Sequence, residues 1–402
     1  MKISLIQPSR NNLKYLKWSY HSIRKNQGPH EVEICVADDF SDDGTWDWCL
    51  ETMKKDSFFK AIRNEGPNRL GHTILYDKLI NEVATNEIAM IYHADMYLCP
   101  GAIDSIEKYI DKKTIVSLTR IEPPLHPSGP EKILIEWGAI EPELFNEEQF
   151  LSWFSKLEVK DPTEGIFAPW AFYVSDFREI GGHDKLYAPQ SKEDSDIFNR
   201  FYMNGVKFIQ SWEGFVYHMT CRGSRFNPTI TNVGKNSGEW EAQNERSSRN
   251  FIRKWGNFVK HDRLMKPIIL PYYDIGLKIK SSDIRVIEFF EPMFSNLYLD
   301  CSFETIQQYI AKEQKNTDFD LSKRIKSYED TMINDIIIEF DCKEMNQESL
   351  NLIIRLHEII HDSGEIGNFQ LDIFKVTINK LVEYQKNLIR VDSPWYKNKL
   401  LK

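Results

Sequence analysis

The chain has 402 residues, with 60 acidic and 51 basic side chains and a formal net charge of −9. This length exceeds what one ordinary hydrophobic core accommodates, so it predicts two or three domains. The acidic balance argues against general nucleic-acid binding. The hydrophobic content of 41% is typical of a soluble globular protein.

The cysteines and the N-terminus indicate the compartment. Six cysteines are scattered without paired spacing, which favours neither a zinc site nor a disulfide framework and fits a reducing environment. The N-terminus turns polar too early for a signal peptide, and no apolar run approaches the roughly 20 residues that cross a bilayer. We therefore expect a cytoplasmic protein, with any membrane association peripheral.

Strands and helices alternate through the first half of the chain. The predicted strands are 2–6, 31–37, 59–63, 88–93 and 114–118, and the predicted helices are 12–26, 45–55, 71–83 and 102–110. Such alternation implies βαβ units and a mostly parallel, mixed α/β sheet. Prolines interrupt the pattern over 122–169, and long irregular connections are often binding loops or lids. A strand (171–174), a helix (191–204) and a strand (215–218) follow.

The pattern changes near residue 260. We predict a first domain over 1–260 and a smaller α/β or α+β domain of unknown role over 261–402. Its predicted strands are 284–290, 297–299 and 336–340, its predicted helices are 303–312, 347–362 and 374–388, and a charged stretch, 313–328, is a candidate flexible connection. This domain is a candidate for binding an acceptor, a partner or another copy of the chain.

A cluster of carboxylates follows the second predicted strand, in the order Asp38, Asp39, Asp42 and Asp43. Ligands of open α/β sheets bind at the carboxyl ends of strands, and acidic groups there suit a sugar, a nucleoside or a metal ion. Turn formation by Asp and Ser is the ordinary alternative. The spacing also imitates the start of a calcium loop, but the twelfth position, which needs Glu, holds Leu50.

Two further strands end in residues that bind cations. Asp95 follows 88–93 and suits a divalent ion, because hard ions take oxygen ligands. His218 ends 215–218, and an imidazole can complete the shell of Mn²⁺. Arg222 follows it and suits a diphosphate. Each has an ordinary alternative, since a strand-end Asp often caps a turn and a single strand-end His is usually not a ligand.

Glu193 and Asp194 begin the helix predicted over 191–204. A carboxylate there is a candidate general base, although a helix N-terminus lowers its pKa and burial must oppose this effect. The alternative is a capping box, because Ser191 and Asp194 have the required spacing.

The order and spacing of these features resemble family 2 glycosyltransferases, which have the GT-A fold. The resemblance covers about residues 1–260. Its marks are residues 8–11, 38–42, 68–77, 93–95, 181–184, 193–194 and 253–256. Three positions depart from the family pattern: His93 replaces the first acid of the DxD motif, His183 stands where an aromatic residue is usual, and Tyr76 replaces a common arginine.

The resemblance implies a metal-dependent inverting glycosyltransferase of the hexosyltransferase type. It would move a sugar from a nucleoside-diphosphate sugar, with UDP favoured, to a hydroxyl of a glycan or other acceptor. It implies Mn²⁺ or Mg²⁺ at Asp95 and His218, and catalysis by Asp194 with Glu193. The donor residues that it implies are Pro8, Ser9, Arg10, Asp38, Asp39, Arg69, His93, Ala94, Asp184 and Arg222.

Three alternatives stay open. A sugar-nucleotide-binding pseudoenzyme and a nucleotidyltransferase share the same architecture, and fold alone does not separate them. The stretch from His357 to His361 matches HExxH, the zinc-protease pattern. However, the third metzincin ligand position holds Gly367, and no methionine follows Met345 for a Met-turn.

Overall fold

The computed structural model describes residues 1–138, 140–220 and 236–395. They form two compact units, each with its own sheet. Residues 1–243, 261–268 and 390–395 group into the first unit, and 244–260 and 269–389 into the second. The division at residue 260 stays a prediction about which segments fold independently. No helix within the described ranges is long and apolar enough to span a bilayer.

The first unit alternates strands and helices as predicted. Its strands are β1 (Lys2–Ser9), β2 (Glu31–Asp39), β3 (Phe59–Asn64), β4 (Ile88–Ile91), β5 (Met96–Leu98), β6 (Thr114–Glu122), β7 (Lys132–Leu134), β8 (Trp170–Tyr173) and β9 (Lys207–His218). Its helices are α1 (Leu13–Asn26), α2 (Thr45–Lys55), α3 (Gly71–Glu82), α4 (Ala102–Tyr109), α5 (Glu147–Phe154), α6 (Val174–Glu179) and α7 (Glu193–Met203). Helix α8 (Gly238–Trp255) follows, and its residues from Asn244 onward group with the second unit.

These strands form one mixed sheet in the order β3-β2-β1-β4-β8-β6-β9-β5, with β7 beside β6. Strands β1 to β4 pair in parallel, β6 pairs in parallel with β9, and β8 and β5 run antiparallel to their neighbours. Strands β1 and β2 are buried along nearly their whole length, as is typical of parallel strands with helices on both faces of the sheet. The predicted α/β class is thus confirmed.

The register of the sheet gathers strand ends. Ser9 lies opposite Asp38, and Asp38 lies opposite Arg63, so β1, β2 and β3 end together. On the other side, β5 and β9 pair antiparallel with Met96 opposite His218. This pairing brings the residue before β5, which is Asp95, next to the end of β9.

The irregular connection between β6 and β8 packs its aromatic residues into a core. Phe150 is fully buried, and Trp137 and Trp153 pack against the same cluster. Trp170 is also fully buried, in β8. Trp170 is therefore a core side chain, while Trp137 and Trp153 are half-buried and pack against a core.

The second unit contains the strands β10 (Ile275–Lys280), β11 (Asn296–Leu299), β12 (Ile325–Ser327), β13 (Ile336–Asp341), β14 (Gly367–Leu371) and β15 (Phe374–Ile378). Its helices are α9 (Ile284–Phe290), α10 (Phe303–Glu313), α11 (Leu321–Arg324), α12 (Gln347–Ile354) and α13 (Leu356–Ser363). The strand order is β12-β11-β10-β13-β15-β14, parallel up to β13 and antiparallel beyond it. Apolar side chains from both layers form one core.

Two predictions for this unit are wrong. Residues 284–290, a predicted strand, form α9, because Asp283 caps a helix by accepting hydrogen bonds from the N–H groups of Arg285 and Val286. Residues 374–388 are a predicted helix, but their first five form β15, which pairs with both β13 and β14. The candidate flexible connection over 313–328 holds α11 and β12, and β12 pairs with β11.

Candidate functional site

Three side chains that could hold a metal ion lie close together at the ends of β4 and β9 and just before β5. The ligand atoms of His93, Asp95 and His218 lie within 4.8 Å of one another, and no other such group of three occurs among the described residues. Nε2 of His218 lies 3.4 Å from Oδ1 of Asp95. Two imidazole nitrogens and one carboxylate form a donor set that fits a divalent transition-metal ion. The structure thus places His93, which was expected at the donor, with the two predicted metal ligands.

The ionisation of these groups depends on one another. Although burial opposes its charge, Asp95 and Glu122 raise the pKa of His218 to about 9. Burial and the charge of His218 lower the pKa of His93 to about 3. Despite burial, His218 keeps the pKa of Asp95 below its usual value. The site therefore holds one fixed carboxylate charge and one imidazole that stays neutral.

Glu122, at the end of β6, was not among the predicted site residues. Its Oε1 accepts from Nδ1 of His218 at 3.0 Å and from Nη1 of Arg120 at 2.9 Å. Although burial opposes its charge, His218, Arg120 and Lys132 keep the pKa of Glu122 well below its usual range. The sequence carried one signal for Glu122 as a site residue. Like Asp39 and Asp95, Glu122 is an acidic residue at or next to the end of a strand in this sheet.

The acidic cluster after β2 holds the loop before α3. Oδ1 of Asp39 accepts from the backbone N–H of Leu70 at 3.0 Å and from Nδ2 of Asn64 at 2.7 Å. Oδ2 accepts from the N–H of Gly71 at 2.9 Å and lies 4.0 Å from Nε of Arg69. Asp39 therefore orders the start of α3, and its role in binding the donor stays a prediction.

Asp38 is fully buried beside Asp39. Its Oδ1 accepts from the N–H of Ser41 at 3.1 Å, and its Oδ2 lies 3.3 Å from Nε of Arg63. Burial raises the pKa of the Asp38 carboxyl above its usual value. These contacts fix the turn after β2, which carries an exposed Phe40 at a backbone φ of 59°.

The end of β1 supplies Pro8, Ser9 and Arg10. Pro8 and Ser9 are buried, and the hydroxyl of Ser9 has no hydrogen-bond partner among the residues that the structure describes. Burial and the nearby charge of Arg10 lower the pKa of Arg69. The two guanidinium groups are thus close enough to repel each other, and a pair of this kind suits an anionic ligand.

Two residues one turn apart on α3 link the acidic sites. Burial and the charge of Arg69 lower the pKa of His72 to about 4, against the opposing charges of Asp39 and Asp95. Burial raises the pKa of Tyr76 well above its usual value, and the charges of Asp194, Glu193 and Asp95 add to this effect. The three predicted acidic sites therefore lie around one face of α3. Neither His72 nor Tyr76 is among the predicted site residues.

Helix α7 begins at Glu193, two residues later than predicted. Its N-cap residue is Lys192, whose side chain makes no capping hydrogen bond, and Ser191 and Lys192 both have positive φ. Burial and the charge of Asp194 raise the pKa of Glu193 to about 8. Burial raises the pKa of Asp194, although the charge of His183 opposes this. Burial thus outweighs the effect of the helix N-terminus at both carboxyls.

The turn before α7 is anchored to α3. The Asp77 carboxylate accepts a hydrogen bond from the backbone N–H of His183. One oxygen of this carboxylate also lies 2.7 Å from Nδ1 of the His183 imidazole. Within the described part of the chain, Nε2 of the imidazole has no hydrogen-bond partner. The imidazole stacks on Tyr76, with ring centroids 5.5 Å apart. Arg200 of α7 donates to the carbonyl of Gly182 at 2.7 Å. Contacts from α3 and α7 therefore hold His183 in one position.

The remaining predicted residues lie as follows. Asp184 accepts from the backbone N–H of Leu186 at 3.0 Å, at the start of a short 3-10 helix. Ala94 is buried between the two metal-group residues of its strand end. Arg222 lies outside the described residues.

The HExxH match in the second unit forms part of α13. His357 is buried, its ring stacks on Phe294, and burial lowers its pKa to about 4. Glu358 forms an ion pair with Lys260, and His361 lies 3.3 Å from the carboxylate of Glu383. One histidine thus belongs to the core, which leaves no zinc-protease group within the described chain.

A curled, mostly parallel α/β sheet with acidic and imidazole groups at its strand ends defines a protein of the GT-A type. Residues 4–168 match the family model for glycosyl transferase family 2, which covers less than half of the chain. Over this segment, the resemblance drawn from the sequence is confirmed. No curated protein matches the chain.

Several solved structures are similar to part of the chain. GalNAc-T7 with UDP, GalNAc and Mn²⁺ is 14% identical, with a TM-score of 0.45 over 63% of this chain and 48% of that one. S. aureus TarS residues 1–349 are 17% identical, with a TM-score of 0.40 over 54% and 60%. The mannosyltransferase PcManGT from Pyrobaculum calidifontis, with GDP-Man and Mn²⁺, is 16% identical, with a TM-score of 0.39 over 55% and 57%. The matched region thus spans about half to three fifths of each of these chains.

Proposed function

We propose that the first unit is a metal-dependent inverting glycosyltransferase. It transfers a sugar from a nucleoside-diphosphate sugar, with UDP favoured, to a hydroxyl of a glycan or other acceptor. The observation that carries this proposal is the group of His93, Asp95 and His218, whose ligand atoms lie within 4.8 Å of one another. The charges of Asp95, Glu193 and Asp194 also all act on Tyr76, which supports a common site for the cation and the general base.

His93, Asp95 and His218 would hold the divalent ion. When bound, such an ion neutralises the negative charge that develops on the departing nucleoside diphosphate. Arg10 and Arg69 supply further positive charge near the strand ends. On this assignment Asp39 keeps the loop before α3 in place beside the nucleoside, while Pro8 and Ser9 border the nucleotide.

Asp194 is assigned as the general base. The acceptor hydroxyl loses its proton as it attacks the anomeric carbon, and a positioned carboxylate takes that proton. Attack from the face opposite the diphosphate inverts the anomeric configuration. Burial supports this role, because it raises the pKa of Asp194 and makes the carboxylate a better proton acceptor. Glu193 modulates that charge as its immediate neighbour, and Asp184 lies beside the sugars.

The substitution Asp194→Asn tests the assignment. The amide keeps the shape of the side chain but accepts no proton, so transfer should fall at least about 100-fold while donor affinity stays within about twofold. Donor affinity is measured by calorimetry and transfer by released nucleoside diphosphate. Ser195→Ala, one residue further along α7, is the matched control and should keep wild-type turnover. Full transfer by the Asp194→Asn variant would exclude Asp194 as the base.

A panel of nucleotide sugars separates the proposed function from the other classes. The wild-type protein with Mn²⁺ should release nucleoside diphosphate from at least one donor, faster when an acceptor glycan is present. A pseudoenzyme would bind a donor without turnover. A nucleotidyltransferase would instead release pyrophosphate from a nucleoside triphosphate and a sugar phosphate.

A further inference from the structure

We propose that Glu122 is a positioning residue that holds His218 as a metal ligand. We further propose that the resulting donor set, two imidazoles and one carboxylate, favours Mn²⁺ and other first-row transition ions over Mg²⁺. This inference rests on the metal centre of the proposed function and specifies its ion and its supporting residue.

The first step is the orientation of His218. Its Nδ1 lies 3.0 Å from Oε1 of Glu122, and its Nε2 lies 3.4 Å from Oδ1 of Asp95. A carboxylate at Nδ1 keeps a proton on that nitrogen, so Nε2, which faces Asp95, is the nitrogen available to a metal ion. Ligating histidines in proteins commonly have such a partner, which fixes both tautomer and ring orientation.

The second step concerns the negative charge of Glu122, which two neighbouring cations stabilise. The carboxylate is buried, with Arg120 at 2.9 Å and Lys132 at 3.4 Å. Arg120 is itself buried against the ring of Phe167, with its guanidinium carbon 3.9 Å from the ring centroid. Two cations and one imidazole therefore surround a single carboxylate that has little freedom to turn away from His218.

The third step is the chemistry of the ligands. Mg²⁺ binds oxygen ligands and demands near-ideal octahedral geometry, while imidazole suits transition ions. In this group only Asp95 offers an oxygen ligand. His93 stands at the position where the resemblance to family 2 glycosyltransferases has the first acid of the DxD motif, which would supply a second carboxylate. The replacement of one oxygen donor by a nitrogen donor shifts selectivity away from Mg²⁺.

Glu131 provides a matched control. Its carboxylate lies 3.7 Å from Arg120 and 3.8 Å from Lys132, the same two cations that contact Glu122. The hydrogen bond to Nδ1 of His218 comes from Glu122 instead. A change at Glu131 therefore disturbs the same charged network without touching the metal ligand.

The experiment measures metal binding to the full chain without any donor. Calorimetry with Mn²⁺ and with Mg²⁺ gives the two affinities, and electron spin echo spectra of bound Mn²⁺ detect coupling to imidazole nitrogen. We expect tighter binding of Mn²⁺ with nitrogen coupling. Glu122→Gln should weaken Mn²⁺ binding by about 10–100-fold, while Glu131→Gln should leave it unchanged. His93→Asp should reduce the preference for Mn²⁺ over Mg²⁺ and weaken the nitrogen coupling.

Each outcome decides between explanations. Equal losses in the Glu122 and Glu131 variants, or no loss in either, would overturn the role of Glu122. Equal affinities for the two ions, or a His93→Asp variant with an unchanged preference, would overturn the selectivity. Because no nucleotide sugar is present, these measurements test the metal site independently of the proposed sugar transfer. The proposed transfer is contradicted only if the donor panel shows no turnover.

Discussion

Two adjacent carboxyl groups begin α7, where Glu193 is buried and Asp194 is half-buried. Burial raises the pKa of both Glu193 and Asp194, and the charge of Asp194 adds to the rise at Glu193. One Oε atom of Glu193 also lacks a hydrogen-bond partner among the described residues. Because two neighbouring negative charges repel each other, the pair carries fewer than two charges near neutral pH. Glu193 thus holds a proton near neutral pH, next to the assigned base Asp194.

This ionisation makes stability depend on pH. A carboxyl whose pKa is raised to about 8 on folding binds its proton more tightly in the folded protein. Its favourable contribution is complete below its unfolded pKa and is lost as the pH rises toward 8, at about 1.4 kcal/mol per pKa unit. Glu193→Gln should therefore match wild type near pH 4 and be more stable near pH 9.

Thermal unfolding across this pH range measures the difference. The control is Glu51→Gln, which changes an exposed glutamate paired with Lys54 and should keep the wild-type pH dependence. The absence of any gain in Tm at high pH for Glu193→Gln would show that Glu193 is ionised in the folded protein.

A tight turn between α6 and α7 sets the position of His183. Gly182 has a φ of 76°, and a Cβ atom there would lie 2.2 Å from Oδ2 of Asp77. Only glycine permits both this backbone conformation and this approach. The turn, α3 and α7 therefore form one locally ordered unit around the proposed base.

Gly182→Ala should destabilise the protein more than Gly205→Ala. Gly205 has a similar φ of 75°, but a Cβ there meets no atom within 4 Å. Gly205→Ala should cost about 1–2 kcal/mol, which is the backbone penalty alone. Gly182→Ala adds a clash with Asp77 and should also lower transfer by displacing His183. Urea unfolding measures both costs, and equal values would show that the Asp77 contact relaxes freely.

Some secondary-structure elements follow the pattern of their own residues, while others depend on contacts made elsewhere in the chain. In the first unit, apolar runs between amphipathic helices predicted β1 to β4 well, because parallel strands are buried on both faces. In the second unit, residues 284–290 are rich in β-branched and aromatic side chains, yet the Asp283 cap and the connection to β11 make them helical. Glu122 was missed because its partners, Arg120, Lys132 and His218, come together only through the pairing of β6 with β7 and β9.

At the scale of the whole molecule, the described residues of each unit include a buried hydrophobic core of their own. The second contains a buried ionic cluster in which Arg253 donates to Glu291 and to Glu313. Arg249 also contacts Glu313, and Arg324 also contacts Glu291. Despite burial, these arginines keep the pKa of both carboxyls below the usual value. Several elements of the second unit are thereby joined at one point.

Arg253→Met should destabilise the second unit strongly. Removal of a fully buried guanidinium leaves two carboxylates with fewer cations, a change that typically costs about 3–5 kcal/mol. Arg285→Met is the control, because its pair with Asp283 is exposed to solvent and should contribute little to stability. Hydrogen exchange monitored by mass spectrometry should show lost protection in β10 and β13, with β1 and β2 unchanged.

The path of the chain affects the order in which the protein can be completed during synthesis. Residues 390–395 return to the first unit, where Val391 donates to the carbonyl of Ile180 and Trp395 donates to Glu82. Strands β1 to β9 leave the ribosome long before this segment, and the second unit is translated in between. Residues 269–389 are therefore synthesised before the first unit can form its contacts with residues 390–395.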